Sequence, residues 1–315
     1  MIQVTKDQKW NSSSSIHSME FERKPLLDDI SIVIPTLGRP ILEQCLYWIL
    51  MGSSWPTCLI VVDQGSNANV AGWLERVMHI GIPVKHILST QRGRSAGINR
   101  GLEQTRTRFV AITDDDCFVG VGWLSKMATK LQQHPQAVIT GQVEAAGEDM
   151  IVVVTSSIPS VQNRPRLKFD SMSGGNVGAS LDVFRKVGLF EEDPVMATAE
   201  DAEWAYRALR RGVSIRYEPD VVLAHFGWRD TGKRVEQYRD YALSHGGFYG
   251  KYLRHGDLFI LARAAGHFGR ALRRWVRGIV AGDVELAMLG RAYCLHLLPG
   301  ILAGIRSTIQ SGELK

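Results

Sequence analysis

The sequence predicts an α/β fold: a mixed, mostly parallel sheet flanked by helices, with a helical C-terminal extension. Three observations lead there. Short β-branched runs, the length of buried strands, alternate with stretches whose apolar residues recur at helical spacing. Strand, helix and strand in succession make βαβ units, which require parallel pairing and a right-handed crossover. From Lys233 onward the strand-like runs give way to helical patterns.

Composition sets the outer bounds. The 315 residues are 45% hydrophobic and 22% charged, as expected of a soluble globular protein with a sizeable core. A formal net charge of +5 is modest, so where the basic residues lie matters more than their sum. Cys45, Cys58, Cys117 and Cys294 form no C-x-x-C pair and no compact framework, which argues against disulfides or structural zinc and for a reducing compartment. Lys6 and Lys9 are followed by serines rather than an apolar segment, so no secretory signal is expected. No run reaches about 18 uncharged apolar residues, so a clear transmembrane helix is not expected either.

Taken in order, residues 1–28 are polar, Ser-rich and aperiodic, a flexible lead-in. Order begins with a strand at 30–35, stopped by Pro35, and a loop through Thr36 and Arg39 comes after it. Leu42, Cys45, Leu46, Ile49 and Leu50 give 41–51 helical spacing. A second strand, 58–63, ends in Asp63, where an acceptor at the carboxyl edge of the sheet can meet a base or sugar. A helix over 70–79 and a strand over 84–88 come next. Small residues and arginines over 91–101 then open another helix; exposed N–H groups and guanidinium groups there suit a phosphate.

The centre of the chain is acidic. An apolar strand, 109–112, runs into Asp114, Asp115 and Asp116, and the other motifs are arranged around this triplet. Were the chain still extended, Asp114 and Asp116 would point one way and Asp115 the other, and the pair would grip a hard divalent cation such as Mg²⁺ or Mn²⁺. An acidic turn is the plainer alternative. Beyond it lie a helix over 123–133, a strand over 137–143, a turn at 147–149 and an apolar run at 151–154. Residues 159–170 are polar, a mobile loop carrying Arg164, Arg166 and Lys168. Gly174, Gly175 and Asn176 sit where backbone must approach something closely. A helix over 181–187 precedes one that starts near Thr198, read as its N-cap, with Glu200 and Asp201 in the first turn and Trp204 on its apolar face. That carboxylate pair either complements the helix dipole or supplies a general base. Residues 213–217 form a strand ended by Pro219, and a further apolar run ends in His225. In the extension, 238–253 is rich in aromatics and glycine. Arg263, Arg270, Arg273, Arg274 and Arg277 then alternate with apolar residues, as in a basic amphipathic helix at an anionic membrane surface. Residues 286–305 read as helix broken by Arg291, His296 and Pro299.

Together these motifs resemble the family 2 glycosyltransferases, nucleotide-sugar transferases with the Rossmann-like GT-A fold, over residues 31–228. The opening strand with Pro35 and Thr36, the second strand with Asp63, a D-x-D-like Asp114-Asp115-Asp116, Gly174-Gly175-Asn176, Glu200-Asp201 and His225 occur in the family's order. The resemblance implies a divalent ion, Mn²⁺ or Mg²⁺, on Asp116 and His225. It also implies Asp201 as catalytic base beside Glu200, and an acceptor side formed by Gly174, Gly175, Asn176 and Trp204. Pro35, Thr36, Arg39, Asp63, Asn99, Asp114 and Asp115 are then the donor-binding residues. Gln91 and Ile98 depart from the family's pattern, leaving Arg94 and Arg100 as candidates for the diphosphate.

The resemblance divides the chain into the lead-in (1–28), a transferase domain (29–230) and a basic helical extension (231–315). It implies inverting transfer from a nucleoside-diphosphate sugar, with a lean to UDP. The acceptor would be a saccharide or a polyprenyl-pyrophosphate-linked one, in exopolysaccharide or cell-envelope glycan assembly. Such a protein would be cytoplasmic and peripheral at the inner face of the cell membrane. No nucleic-acid recognition motif accompanies the basic residues. Two other readings compete: a sugar-nucleotide-binding scaffold without turnover, and a sugar-phosphate nucleotidyltransferase. The latter needs a Gly-rich, Lys-bearing loop after the first strand, and residues 34–39 do not supply one.

Overall fold

Alternation along the first strand decides the architecture. In β1 (Ile30–Thr36), Ile30, Ile32 and Ile34 join one apolar cluster and Val33 another, so the strand is buried on both faces. The protein is described here by a computed structural model covering residues 16, 19–146, 154–226, 234–307 and 314. β1 pairs in parallel with β2 (Cys58–Asp63), and β2 with β3 (Val84–Leu88); on its other side β1 pairs in parallel with β4 (Phe109–Ile112). Helices α1 (Ile41–Leu50), α2 (Asn69–Ile80), α3 (Arg94–Gln104), α4 (Trp123–Gln133), α5 (Leu181–Val187) and α6 (Glu200–Arg210) come in chain order. The apolar sides of α1, α2 and α4 cover one face of the sheet, and those of α3, α5 and α6 the other.

Three short strands escape the sequence patterns: β5 (Cys117–Val119), β7 (Ser160–Gln162) and β8 (Val177–Ser180). Three or four residues are too few for a period to register. β8 runs antiparallel between β4 and β6 (Val138–Ala145). β9 (Ile215–His225) lies parallel to β6 and antiparallel to β5 and β7, giving the order β3-β2-β1-β4-β8-β6-β9-β5 with β7 also on β9. Pro219 does not end this strand as expected. Pairing with β6 jumps from Glu218 to Val222, so the proline sits in a bulge where no ladder N–H is needed.

The two ends of the chain also differ from expectation. Of the lead-in, residues 19–28 are packed rather than free: Trp55 N–H donates to Pro25 O, Leu27 N–H to Trp55 O, and Arg76 to Met19 O. The expected turn at 147–149 and most of the run at 151–154 lie outside the described residues; Val154 pairs with Val143. The extension forms α7 (Arg234–Arg254), α8 (Leu258–Ala281) and α9 (Val284–Arg306). α9 continues through Arg291, His296 and Pro299. Beyond the proline, Gly300 and Gly304 bring its backbone against Gly246, Gly247 and Gly250 of α7. A Cβ on Gly300 would lie 2.2 Å from Leu243 O, so tertiary contact outweighs the local cost of proline. Among the described helices, α9 alone is long and apolar enough to cross a membrane.

Buried charge ties the extension to the sheet. Lys251 on α7 pairs with Glu191 and Glu203, and Arg263 on α8 donates to Asp170 at 2.6 Å. The same carboxylate accepts from Gln162 and from the Arg166 backbone N–H. The segment 159–170, expected to be irregular and mobile, is therefore closed on itself and anchored.

Candidate active site

Because β1, β2 and β4 are parallel, their carboxyl ends lie together, and the chain winds away from β1 in opposite directions to β2 and β4. A crevice opens at such a point. The Asp triplet sits there, but not with its expected alternation. Strand β4 stops at Ile112, and residues 114–117 turn, with Cys117 N–H bonded to Asp114 O. Period two therefore no longer applies. Asp115 and Asp116 share Arg39, which donates to both, while Asp114 faces away to Arg94 at 2.7 Å. Asp115, 2% exposed, also accepts from Thr36 at 2.7 Å; burial pushes its carboxyl up, and Arg39 and Thr36 pull back.

Asp116 is joined by His225 from β9, with Nε2 3.5 Å from Oδ1. Antiparallel pairing of β5 with β9 sets Cys117 opposite His225. Ligand atoms of Asp116, Cys117 and His225 lie within 4.8 Å of one another, a set able to take a divalent ion. Burial, with Asp114 and Asp116 beside it, holds the Cys117 thiol well above its usual pKa.

A second cluster forms where α3, the glycine loop and α6 meet. Gly93, at φ 122°, turns the chain so that α3 starts at Arg94, and Gly97 allows α3 onto Pro35, where a Cβ would lie 2.6 Å from the proline ring. Arg94 donates to Asp114 and, at 3.2 Å, to Glu200. Burial opposes its charge, but Asp114, Glu200 and Asp201 outweigh that and hold its pKa up. A Cβ on Gly174 would lie 3.0 Å from Asp201 Oδ2 and 3.1 Å from Arg94 Nη2; one on Gly175 would lie 2.9 Å from Asp114 Oδ2. These glycines let the backbone pack directly against charged groups. Two buried atoms of the cluster, Arg94 Nη2 and Glu200 Oε2, have no hydrogen-bond partner. Burial, with help from Asp201, pushes Glu200 to about 7 against the pull of Arg94. Thr198 does not cap α6: its hydroxyl bonds to Asp240 O on α7, and the helix begins at Glu200 after Ala199. The carboxylate pair is thus free of the capping-box arrangement.

Asp63, 4% exposed, accepts from Gly65 N–H through Oδ1, and its Oδ2 lies 3.4 Å from His86 Nε2. Four candidates do not reach the cleft. Asn99 bonds to both backbone groups of Phe190 and to Glu192, which fixes the loop before α6. Arg100 is exposed and pairs with Glu103, so of the two arginines expected at the diphosphate only Arg94 joins the carboxylates. The Asn176 carboxamide is used entirely inside the fold, by Trp123, Gln142 O and Val221 O. Trp204 is 0% exposed, stacked 5.1 Å from Phe190 with its N–H on Gly188 O, so it belongs to the core.

Sequence reasoning also missed residues. Gln64 donates to the carbonyls of Gln91 and Gly93 and so holds the turn that aims Arg94. Its position beside Asp63 was the available signal. Cys117 directly follows the Asp triplet, yet looked like one of four scattered cysteines.

Comparisons with known proteins bear on the family and the fold. The profile described as Glycosyl transferase family 2 matches residues 31–179. A pre-mycofactocin glycosyltransferase of Mycobacterium tuberculosis is 28% identical over 206 residues, 62% of this chain and 42% of that protein. A chondroitin synthase of Pasteurella multocida is 23% identical over 227 residues, 59% of this chain and 23% of that one. The chain therefore spans less than half the length of these relatives. Among solved structures, the mannosyltransferase PcManGT from Pyrobaculum calidifontis, in complex with GDP-Man and Mn²⁺, superposes with a TM-score of 0.58. That match has 17% identity and covers 93% of this chain and 92% of that one. GalNAc-T7 with UDP, GalNAc and Mn²⁺ gives 0.53 at 15% identity, over 72% and 51%. The fold is of the GT-A type.

Proposed function

The chain carries a glycosyl transferase family 2 domain, and from that premise we propose that it is an inverting hexosyltransferase acting on a nucleoside-diphosphate sugar. The observation that carries this reading is the cluster of charges against Gly174 and Gly175. Arg94 and Asp201 meet Gly174, Asp114 meets Gly175, Glu200 pairs with Arg94, and Arg94 Nη2 and Glu200 Oε2 are buried without partners. Polar atoms so arranged are satisfied when a polar ligand enters.

Asp116 and His225 hold the divalent ion in this reading. An imidazole beside a carboxylate suits Mn²⁺ better than Mg²⁺. When bound, such an ion neutralises charge on the departing diphosphate. The protein's own groups do the rest. Asp63 and its neighbour His86 receive the base, for which UDP is the first choice. Arg94 turns its unpartnered Nη2 to donor oxygens. Asp201 Oδ1 is occupied by the Ala202 N–H at 2.7 Å, so Oδ2, beside Gly174, takes the acceptor-hydroxyl proton. The hydroxyl oxygen bonds to C1 as the bond from C1 to the diphosphate oxygen breaks, and attack from the opposite face inverts the centre. Buried Glu200 keeps Arg94 in place.

The acceptor is a saccharide, or one carried on polyprenyl pyrophosphate, in exopolysaccharide or cell-envelope glycan assembly. On this reading residues 29–230 perform the transfer, and 231–315 bring the protein to an anionic inner membrane face. Support for that last part is the apolar α9 and the arginine-rich α8.

The test is a thermal-shift panel of UDP, GDP and dTDP with and without Mn²⁺, paired with nucleotide release from the matching sugar conjugates. Metal-dependent stabilisation by one nucleotide, with release lost in Asp201→Asn, is expected. Stabilisation without release in the wild type identifies a scaffold instead. No stabilisation by any nucleotide sinks the donor site.

A further inference from the structure

A second cleft, of about 350 Å³, lies away from the carboxylates. It is lined by Lys168, Arg270, Arg273, Arg274, Arg277 and Leu286, five cations and no acid. Its volume is at the lower end of small-ligand sites, about 300–1,000 Å³. The cations come from two separate parts of the chain: the arginines from α8, and Lys168 from the segment whose next-but-one residue, Asp170, is held by Arg263. Arg270 Nη2 donates to Leu167 O at 3.3 Å, which fastens the two parts together. Arg270 itself is disfavoured as a cation, by burial and then by Arg274 and Arg263. Like charges gathered without a counter-charge make a site for an anion, and guanidinium forks match phosphate oxygens.

The surroundings say which kind of phosphate. On α8 the arginines occupy one side and the buried Ile260, Ala264 and Ala271 a second; the exposed Val276 and Val280 follow Arg273 and Arg277 at i+3 spacing and so stand beside them, while Leu261, Phe268 and Leu272 lie on the far side of the helix. Leu167 and Phe169 stand exposed on either side of Lys168, and Leu286 of α9 is part of the lining itself. Apolar side chains bordering a basic cleft fit the boundary between phosphate and hydrocarbon in a lipid layer. A soluble polyanion has no use for them.

We propose that this cleft binds the phosphate of a lipid head group, with Val276 and Val280 of α8 and Leu167 and Phe169 of the Lys168 loop entering the acyl region around it. The idea deepens the lipid-linked acceptor of the function proposed above and rests on that reading. Six peptide steps separate Lys168 from Gly174 and span at most about 22 Å, so a phosphate held here stays within reach of a saccharide in the first cleft. Two sources carry the same chemistry: an anionic phospholipid and the pyrophosphate of a polyprenyl acceptor.

The experiment is flotation of the full chain with three kinds of vesicle: phosphatidylcholine alone, with phosphatidylglycerol, and with polyprenyl pyrophosphate at matched charge. Arg273→Ala/Arg277→Ala removes two exposed cations of the cleft, and Arg106→Ala/Arg185→Ala removes the same charge elsewhere; melting curves check that both fold. The expected result is a preference for phosphate-charged vesicles that falls about 30-fold in the cleft variant and persists in the control. The vesicle type losing more identifies the source, and inorganic pyrophosphate competes. Equal binding to neutral vesicles overturns the proposal, as does an equal loss in both variants or none in the cleft variant. Nucleotide release from the donor, measured in parallel, keeps the two readings apart: if release is absent while the lipid preference holds, only the transferase reading fails.

Discussion

Glu200 and Glu203 leave the same helix one turn apart, both buried, and the protein treats their charges in opposite ways. Glu203 accepts from Arg207 at 2.8 Å, Lys251 at 3.1 Å and Tyr252 at 2.7 Å. Burial would raise its pKa, but Arg207 and Lys251 more than compensate and hold it below the usual carboxylate value. Glu200 has one bond, from an Arg94 that also serves Asp114, and its second oxygen has none. There burial wins. A closed network of charges is architecture, whereas an open one of the same composition is a place for a ligand.

The largest effect that could break this contrast is on rate. Asp201→Asn, on the open side, is expected to lower nucleotide-sugar turnover by about 10²- to 10⁴-fold in steady-state assays, with the melting temperature little changed. On the closed side the pattern reverses. Glu203→Gln leaves Lys251 and Arg207 without a full counter-charge, and urea unfolding should show a loss of about 3–5 kcal/mol, with turnover per folded molecule retained. If both variants lost stability alike, the distinction would be wrong.

Glu200→Gln sharpens the comparison through pH. The folded Glu200 holds its proton up to about 7, whereas an unfolded glutamate releases it near 4.5. Between those values the native state binds more protons, so this group takes stability away as pH rises. The stability difference between the variant and the wild type should therefore move in the variant's favour from pH 5 to 8, by on the order of 1–3 kcal/mol. A difference flat with pH would mean that the wild-type carboxyl is ionised throughout. The smallest effect is expected at Arg100, which touches neither network: Arg100→Ala should change stability and nucleotide binding by less than about 0.5 kcal/mol.

The parallel strands β1, β2 and β4 were legible because each is an apolar run closed by a break, and the Asp triplet because like charges rarely stand together without a reason. What the sequence hid was the direction of side chains. Asn99, Asn176 and Trp204 occupy the motif positions expected of site residues, yet each spends its polar atoms inside the fold, largely on backbone groups. Spacing along a chain does not reveal which carbonyls a side chain will meet. The alternation expected of Asp114 to Asp116 failed for a related reason, since it held only while the chain stayed extended. Pairs such as Arg263 and Asp170 are 93 residues apart, and no local pattern joins them.

That last pair bears on how the protein can be recombined. If the chain is divided near residue 230, as the sequence patterns divide it, exchanging the extension for another protein's would look harmless. Yet Asp170 is 8% exposed, and without Arg263 it would face a foreign helix with its charge uncompensated. A graft that keeps Glu200 and Asp201 but not this arginine releases the loop beside Gly174. Swaps of this part succeed only when loop and helix travel together, as one exchangeable unit that is discontinuous in the chain.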